Sequence, residues 1–212
     1  LTRIIVDPDR PDPDALERAA AFLRGGGVAA VPTDTLYGLA ADPFNAAAVD
    51  RVFAIKGRLS NQALPLVAAD SAQIRAWIGG WSPLGERLSR RFWPGPLTLV
   101  VSAPATIVAA VTGGRGTVGI RVPAHAVTRG LCAAVGCPLT ATSANRSGAP
   151  ATDHPDVVAA DLGDDVDALV DAGMTPGGPP STIVDVTSDE PRLIRAGAIS
   201  WDAVQACARE TS

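Results

Sequence analysis

Residues 114–123 read GRGTVGIRVP, and the first six fit the glycine pattern GxGxxG of a dinucleotide-binding turn. That turn works only with a strand before it and a helix after it, because the helix N-terminus receives the pyrophosphate. Here the continuation IRVP is extended, so residues 117–124 read as a strand and the dinucleotide fold is rejected. The segment raises a different question, since Arg121 interrupts a strand expected to be apolar.

On either side the hydrophobic pattern alternates between helical and extended periods. PDALERAAAFLRGGG (13–27) predicts a helix with Asp12 as N-cap, Pro13 in the first position and glycines at its end. GVAAVPT (27–33) predicts a short buried strand. NAAAVDRVFAIKGR (45–58) predicts a helix capped by Asn45, with a stripe through Ala48, Val52 and Ile55. LPLVAAD reads as a strand, SAQIRAWIGG as a helix, and SPLGERLSRRFW as a helix opened by Ser82 and Pro83. Further strands are expected at 96–103, 137–144, 167–172, 181–186 and 192–197, and helices at 125–136, 154–163 and 200–210. The result is an α/β fold. The strands at 181–186 and 192–197 have no helix between them, which argues for a mixed sheet. MTPGGPPS (174–181) reads as a mobile loop, not a domain linker.

The chain has 212 residues, 47% of them apolar and 19% charged, enough for one well-buried domain. No run of eighteen apolar residues occurs and the N-terminus lacks a secretory pattern, so neither a membrane span nor a signal is expected. Cys132, Cys137 and Cys207 lack CxxC spacing and read as reduced, buried thiols of a cytoplasmic protein. The two histidines, 29 residues apart, suggest neither a metal site nor a triad. Net charge is −4, which argues against nucleic-acid binding by bulk electrostatics. Yet residues 51–150 carry a local balance of +9 inside a remainder of −13. That pattern points to a focused anion site, although Arg75, Arg87, Arg90 and Arg91 read as solvated helix faces.

Four polar clusters stand at the ends of apolar segments, where α/β proteins place ligands. They are PTDTLYGLAADP (32–43), KGR (56–58), TVGIRVP (117–123) and TATSANRSG (140–148). Cations at Lys56, Arg58 and Arg121, hydroxyls at Thr117 and Ser143, and the Asn145 amide suit a polyphosphate, with Arg195 as a further cation. Lys56 is the only lysine among 18 basic residues. A compact charge on a flexible stem can follow charge onto a leaving group, which a planar guanidinium does less well.

PTDTLYGLAAD, IKGR, TVGIRVP, TSANRSG, STIVD and LIRAGAIS, in that order, resemble the successive motifs of the YrdC family over residues 10–205. The resemblance implies a single domain with a twisted mixed sheet forming a concave, positively charged cavity. It implies threonylcarbamoyl-AMP synthase activity, a nucleotidyl transfer from L-threonine, bicarbonate and ATP with Mg2+, releasing pyrophosphate. A separate complex would then pass the threonylcarbamoyl group to the tRNA adenosine beside the anticodon, with weak tRNA binding by this chain at most. By the same resemblance Lys56 and Arg58 would be catalytic. Lys56, Arg58, Gln62, Thr117, Ser143, Asn145, Ala151 and Arg195 would hold ATP; Thr35, Arg121, Ala141 and Ser181 would hold threonine. The chain departs from the family at Leu59 and Gln62, and has no His after the following PL. By the same resemblance the chain is expected to be the family's short, single-domain form. An RNA-binding module is the competing class, disfavoured by an aromatic content of 4%. Carbamoyl adenylation in hydrogenase maturation is the other alternative, but such chains are long and multidomain.

Overall fold

The computed structural model describes residues 1–57 and 62–210. In chain order its first half runs β1 (Thr2–Ile5), α1 (Pro13–Arg24), β2 (Ala29–Val31), β3 (Gly38–Ala40), α2 (Ala46–Lys56), β4 (Leu66–Val67), α3 (Ser71–Trp77), α4 (Pro83–Phe92) and β5 (Leu97–Ser102). The second half runs α5 (Ala109–Thr112), β6 (Thr117–Arg121), α6 (Ala126–Val135), β7 (Leu139–Thr140), β8 (Thr142–Ser143), α7 (Pro155–Leu162), β9 (Ala168–Asp171), β10 (Thr182–Asp185), β11 (Arg192–Arg195) and α8 (Trp201–Arg209).

The helix boundaries follow local chemistry. Asp12 accepts from the amides of Asp14 and Ala15, Asn45 from that of Ala48, and Ser82 from that of Gly85, so each predicted cap satisfies amides that have no partner within the helix. Helix α2 ends because Gly57 adopts φ 62°, a left-handed conformation that most side chains disfavour. Lys56 therefore sits in the last helical turn, where carbonyls and the helix dipole favour a cation.

The strands form two mixed sheets. The first has the order β1-β9-β2-β3-β8 and the second β11-β10-β5-β6-β4-β7. In the first, β1, β9 and β2 are parallel, while β3 turns back antiparallel on β2. Residues 38–40, within the polar cluster 32–43 and not assigned to a strand from the sequence, thus form the second arm of a β-hairpin. Strand β1 and helix α5 were not anticipated either. The predicted strand 137–144 divides at Ala141: β7 pairs with β4 in the second sheet and β8 with β3 in the first. This one segment joins the two sheets.

Alternation along β5 and β6 sends Leu97, Leu99, Val101, Val118 and Ile120 into the main core, all at most 2% exposed. Each such side chain contributes about 1.5–3 kcal/mol by burial. A second core, under α1 and α6, packs Leu16, Leu23, Leu131 and Leu139 against β9 and β2. The opposite face of β5 and β6, which carries Thr98, Val100, Thr117, Gly119 and Arg121, does not join the main core. It is the floor of a cavity.

Candidate functional site

The cavity, about 700 Å³, lies between the two sheets. Its floor carries alternate residues of neighbouring strands: Thr98 and Val100 from β5, Thr117, Gly119 and Arg121 from β6, and Ile183 from β10. The residues between them belong to the core, so a one-residue shift in register would exchange cavity and core faces. Gly119 keeps the floor open, since a Cβ there would stand 3.1 Å from Cγ2 of Thr98. The facing wall comprises Thr33, Thr35 to Gly38, Ala141 to Ser143, and Ala151.

At one end Arg121 is 8% exposed. Its Nη1 donates to Oδ1 of Asp34 at 2.5 Å, and Oδ2 of Asp34 accepts from the Ala124 amide at 3.1 Å. A buried guanidinium inside a strand is thus matched by a carboxylate from the loop after β2. Asp34 holds one edge of the fork, and Arg121 lines the cavity beside it. Thr35 lines the same end. Its carbonyl accepts from the Thr175 hydroxyl (2.8 Å) and the Gly177 amide (2.9 Å). These bonds fasten the 174–181 segment, expected to be mobile, to the cavity wall.

Ser181 and Arg195 meet across β10 and β11. Arg195 donates to the Ser181 carbonyl from Nη2 (2.8 Å) and Nε (3.2 Å), and to its Oγ at 3.1 Å. Oγ of Ser181 is 2.9 Å from the hydroxyl of Thr98. Burial, then the positive charge of Arg121, lowers the pKa of Arg195 from its ordinary value. Two guanidiniums that repel each other in one cavity favour an anionic ligand.

The Lys56 group is built differently. Lys56 is 3% exposed, and its Nζ donates to the Ser143 carbonyl (2.7 Å), the Ser143 Oγ (3.2 Å) and Oδ1 of Asn145 (2.6 Å). Oγ of Ser143 also donates to Oδ1 of Asn145 at 2.6 Å, and Nδ2 of Asn145 to the Ala149 carbonyl at 2.5 Å. Ser143 lines the cavity; Lys56 and Asn145 stand directly behind it. This differs from the flexible stem expected of the lone lysine: the ammonium is held by three converging acceptors. A tetrahedral donor suits that arrangement and a planar fork does not.

Gln62, Thr117, Ala141 and Ala151 all line the cavity, the two alanines offering only a methyl group and backbone. Arg58 and Leu59 lie outside the described residues. Sequence reasoning missed Asp34 and Thr98, which orient Arg121 and Ser181, and Arg115, which lines the cavity. Asp34 was within a quoted motif, but its partner is 87 residues away in sequence. The lining has three arginines and no carboxylate among the described residues.

The thiols take no part in this site. Cys132, Cys137 and Cys207 are free and buried, and burial raises the pKa of each, that of Cys137 to about 12.

Comparison with known proteins places this arrangement. Residues 21–197 match the sequence model of the Sua5/YciO/YrdC family, whose description reads "Telomere recombination". A Pyrococcus abyssi protein named threonylcarbamoyl-AMP synthase is 35% identical over 97% of this chain and 60% of its own length. A Vibrio vulnificus protein of that name is 38% identical over 86% of this chain and 98% of its own. The crystal structure of P. abyssi Sua5 complexed with L-threonine superposes with a TM-score of 0.92 at 34% identity, covering 98% of this chain and 61% of that one. The chain therefore spans about three-fifths of the length of the P. abyssi relative. Six motifs in order, the two-sheet architecture and a matching family model agree: the chain belongs to the Sua5/YciO/YrdC family.

Proposed function

We propose that this chain is a threonylcarbamoyl-AMP synthase, joining L-threonine, bicarbonate and ATP and releasing pyrophosphate. One observation carries the reading: a single 700 Å³ cavity has Arg121 at one end, while Ser143 in its wall is backed by Lys56 and Asn145. Arg121 binds the threonine carboxylate, with Thr35, Ala141 and Ser181 around the rest of the amino acid. Lys56, Arg58, Ser143, Asn145, Thr117, Gln62, Ala151 and Arg195 serve the nucleotide. The likeness to a relative crystallised with L-threonine supports the amino-acid half.

In this reading the threonine amine adds to the carbon of bicarbonate and water leaves, giving a carbamate. A carbamate oxygen then attacks the α-phosphorus, and the bond to the bridging oxygen breaks. Pyrophosphate departs with its electron pair, leaving threonylcarbamoyl-AMP. The step is a nucleotidyl transfer. The chain's residues bind, orient and neutralise, and Lys56 stabilises negative charge as it grows on the leaving group. Mg2+ fits as a companion of the triphosphate. The cavity lining has no carboxylate to hold it, and no cluster of metal-ligating side chains occurs among the described residues, whereas Mg2+ commonly keeps its waters and binds substrate phosphates.

The product would be used in the cytoplasm by a separate complex that modifies the tRNA adenosine beside the anticodon. The net charge of −4 supports weak, salt-sensitive contact with tRNA rather than tight binding. No helix among the described residues is long and apolar enough to cross a membrane.

The test is pyrophosphate release from ATP and bicarbonate with and without L-threonine. Threonine-dependent release is the expected result. Release independent of threonine, or none, defeats the proposal. Tight tRNA binding that persists at high salt would instead favour an RNA-binding role.

A further inference from the structure

Alternation along β6 extends one step beyond the strand. Arg115, Thr117, Gly119 and Arg121 all line the cavity, while Val118 and Ile120 face the core. Arg115 and Arg121 therefore mark opposite ends of one floor, separated by the full rise of β6 from Thr117 to Arg121, ~13 Å at ~3.3 Å per residue, and by the turn before it. The turn that presents Arg115 is unusual in composition. Gly113, Gly114 and Gly116 have φ of 59°, 75° and 66°, and a Cβ on Gly114 or Gly116 would meet nothing within 4 Å. Glycine is needed there for backbone conformation, not for space.

The cavity's other arginines are already engaged: Arg121 with Asp34 and Arg195 with Ser181. Arg115 is exposed, and its guanidinium has no hydrogen-bond or ion-pair partner among the described residues. Its turn adjoins the segment that follows Lys56 and Arg58, for the Leu64 amide donates to the Val111 carbonyl at 2.8 Å. Gln62 and Thr112, on either side of that contact, line the cavity too.

We infer that Arg115 is a further nucleotide-binding residue, closing bidentately on the outer phosphates of the triphosphate and on the pyrophosphate that leaves. The inference rests on the proposed function and adds to it a cation beyond the family motifs. A guanidinium with all its donors available, on a turn outside the packed sheet, matches phosphate geometry. Stacking on the base is the competing use of the same group, and binding measurements separate the two.

The experiment is calorimetric titration with pyrophosphate, ATP and adenosine, without threonine, so that no turnover is needed. Arg115→Ala should weaken pyrophosphate and ATP about tenfold and leave adenosine unchanged. Arg115→Lys should recover part of the loss. Arg18→Ala, an exposed charge deletion on α1, should leave all three affinities unchanged and controls for net charge. Unfolding midpoints equal to wild type would show that the variants fold. Wild-type pyrophosphate affinity in Arg115→Ala, or an equal loss for adenosine, overturns the inference while the proposed function stands. A wild-type protein that binds neither ATP nor pyrophosphate defeats both.

Discussion

Lys56 and Arg121 are both buried cations beside one cavity, and they are held in opposite ways. Arg121 rises from a strand, and one edge of its planar fork meets the Asp34 carboxylate at 2.5 Å. Lys56 ends a helix and points into a carbonyl, a hydroxyl and an amide oxygen at 2.6–3.2 Å. The first is a charge pair with directionality, the second a point charge in a shell of oxygen dipoles. The difference accounts for one lysine among 17 arginines. Three acceptors converging on one point call for an ammonium; a carboxylate on one side and an anionic ligand on the other call for a guanidinium.

The comparison is broken most directly at Lys56. Lys56→Ala should lower kcat about a hundredfold, ~3 kcal/mol in the barrier, with a smaller change in KM for ATP. Lys56→Arg should fail to restore it, because the fork cannot address those acceptors. Wild-type pyrophosphate release in either variant would show that the dipole shell is not needed. At the other centre, Arg121→Lys should raise the KM for threonine about tenfold with kcat moved less, since charge is kept and the second hydrogen bond lost. Equal damage to both parameters would place Arg121 in the chemical step instead.

A smaller effect is expected one layer out. Thr98→Val removes the hydroxyl beside Ser181 and should raise the KM for threonine several-fold, about 1 kcal/mol, leaving ATP affinity unchanged. The smallest effect is a null one near neutrality. Burial raises the pKa of Tyr37 from 10.0 to about 12 and that of Cys137 from 9.0 to about 12. Neither group ionises in the folded protein between pH 7 and 9, so activity changes in that range must come from elsewhere. Above pH 9 the unfolded chain loses these protons before the folded one does, so stability falls as pH rises toward 12. Thermal unfolding across pH 8–11 measures this, and Tyr37→Phe should flatten the decline above pH 10.

Much of the fold was legible because its signals are local. Asp12, Asn45 and Ser82 announce helices through capping chemistry, and the apolar runs at 96–103 and 181–186 announce strands. What escaped were short elements without a period, such as Gly38–Ala40, whose strand character comes from pairing with β2 and β8. The break at Ala141 was hidden for a related reason, since an apolar run does not say which sheet each half joins. In the site, residue types in motif order pointed to anion chemistry, whereas partner choice stayed hidden. Asp34 meets Arg121 and Thr98 meets Ser181 only through tertiary structure, across 87 and 83 positions. Lys56 shows the same limit, because its residue type suggested a cation site while its acceptors come from residues 87 and 89 positions away.

The crossing at Ala141 makes the two walls of the cavity mechanically one piece. Thr140 and Ser143 belong to different sheets, three residues apart, and the Ala141 amide between them donates to the Pro65 carbonyl at 2.8 Å. A chain this short cannot let the sheets separate without breaking ladder hydrogen bonds on one side of it, so the gap between them behaves as a fixed gauge. Entry over the exposed rim at Arg115, by contrast, breaks no ladder hydrogen bond.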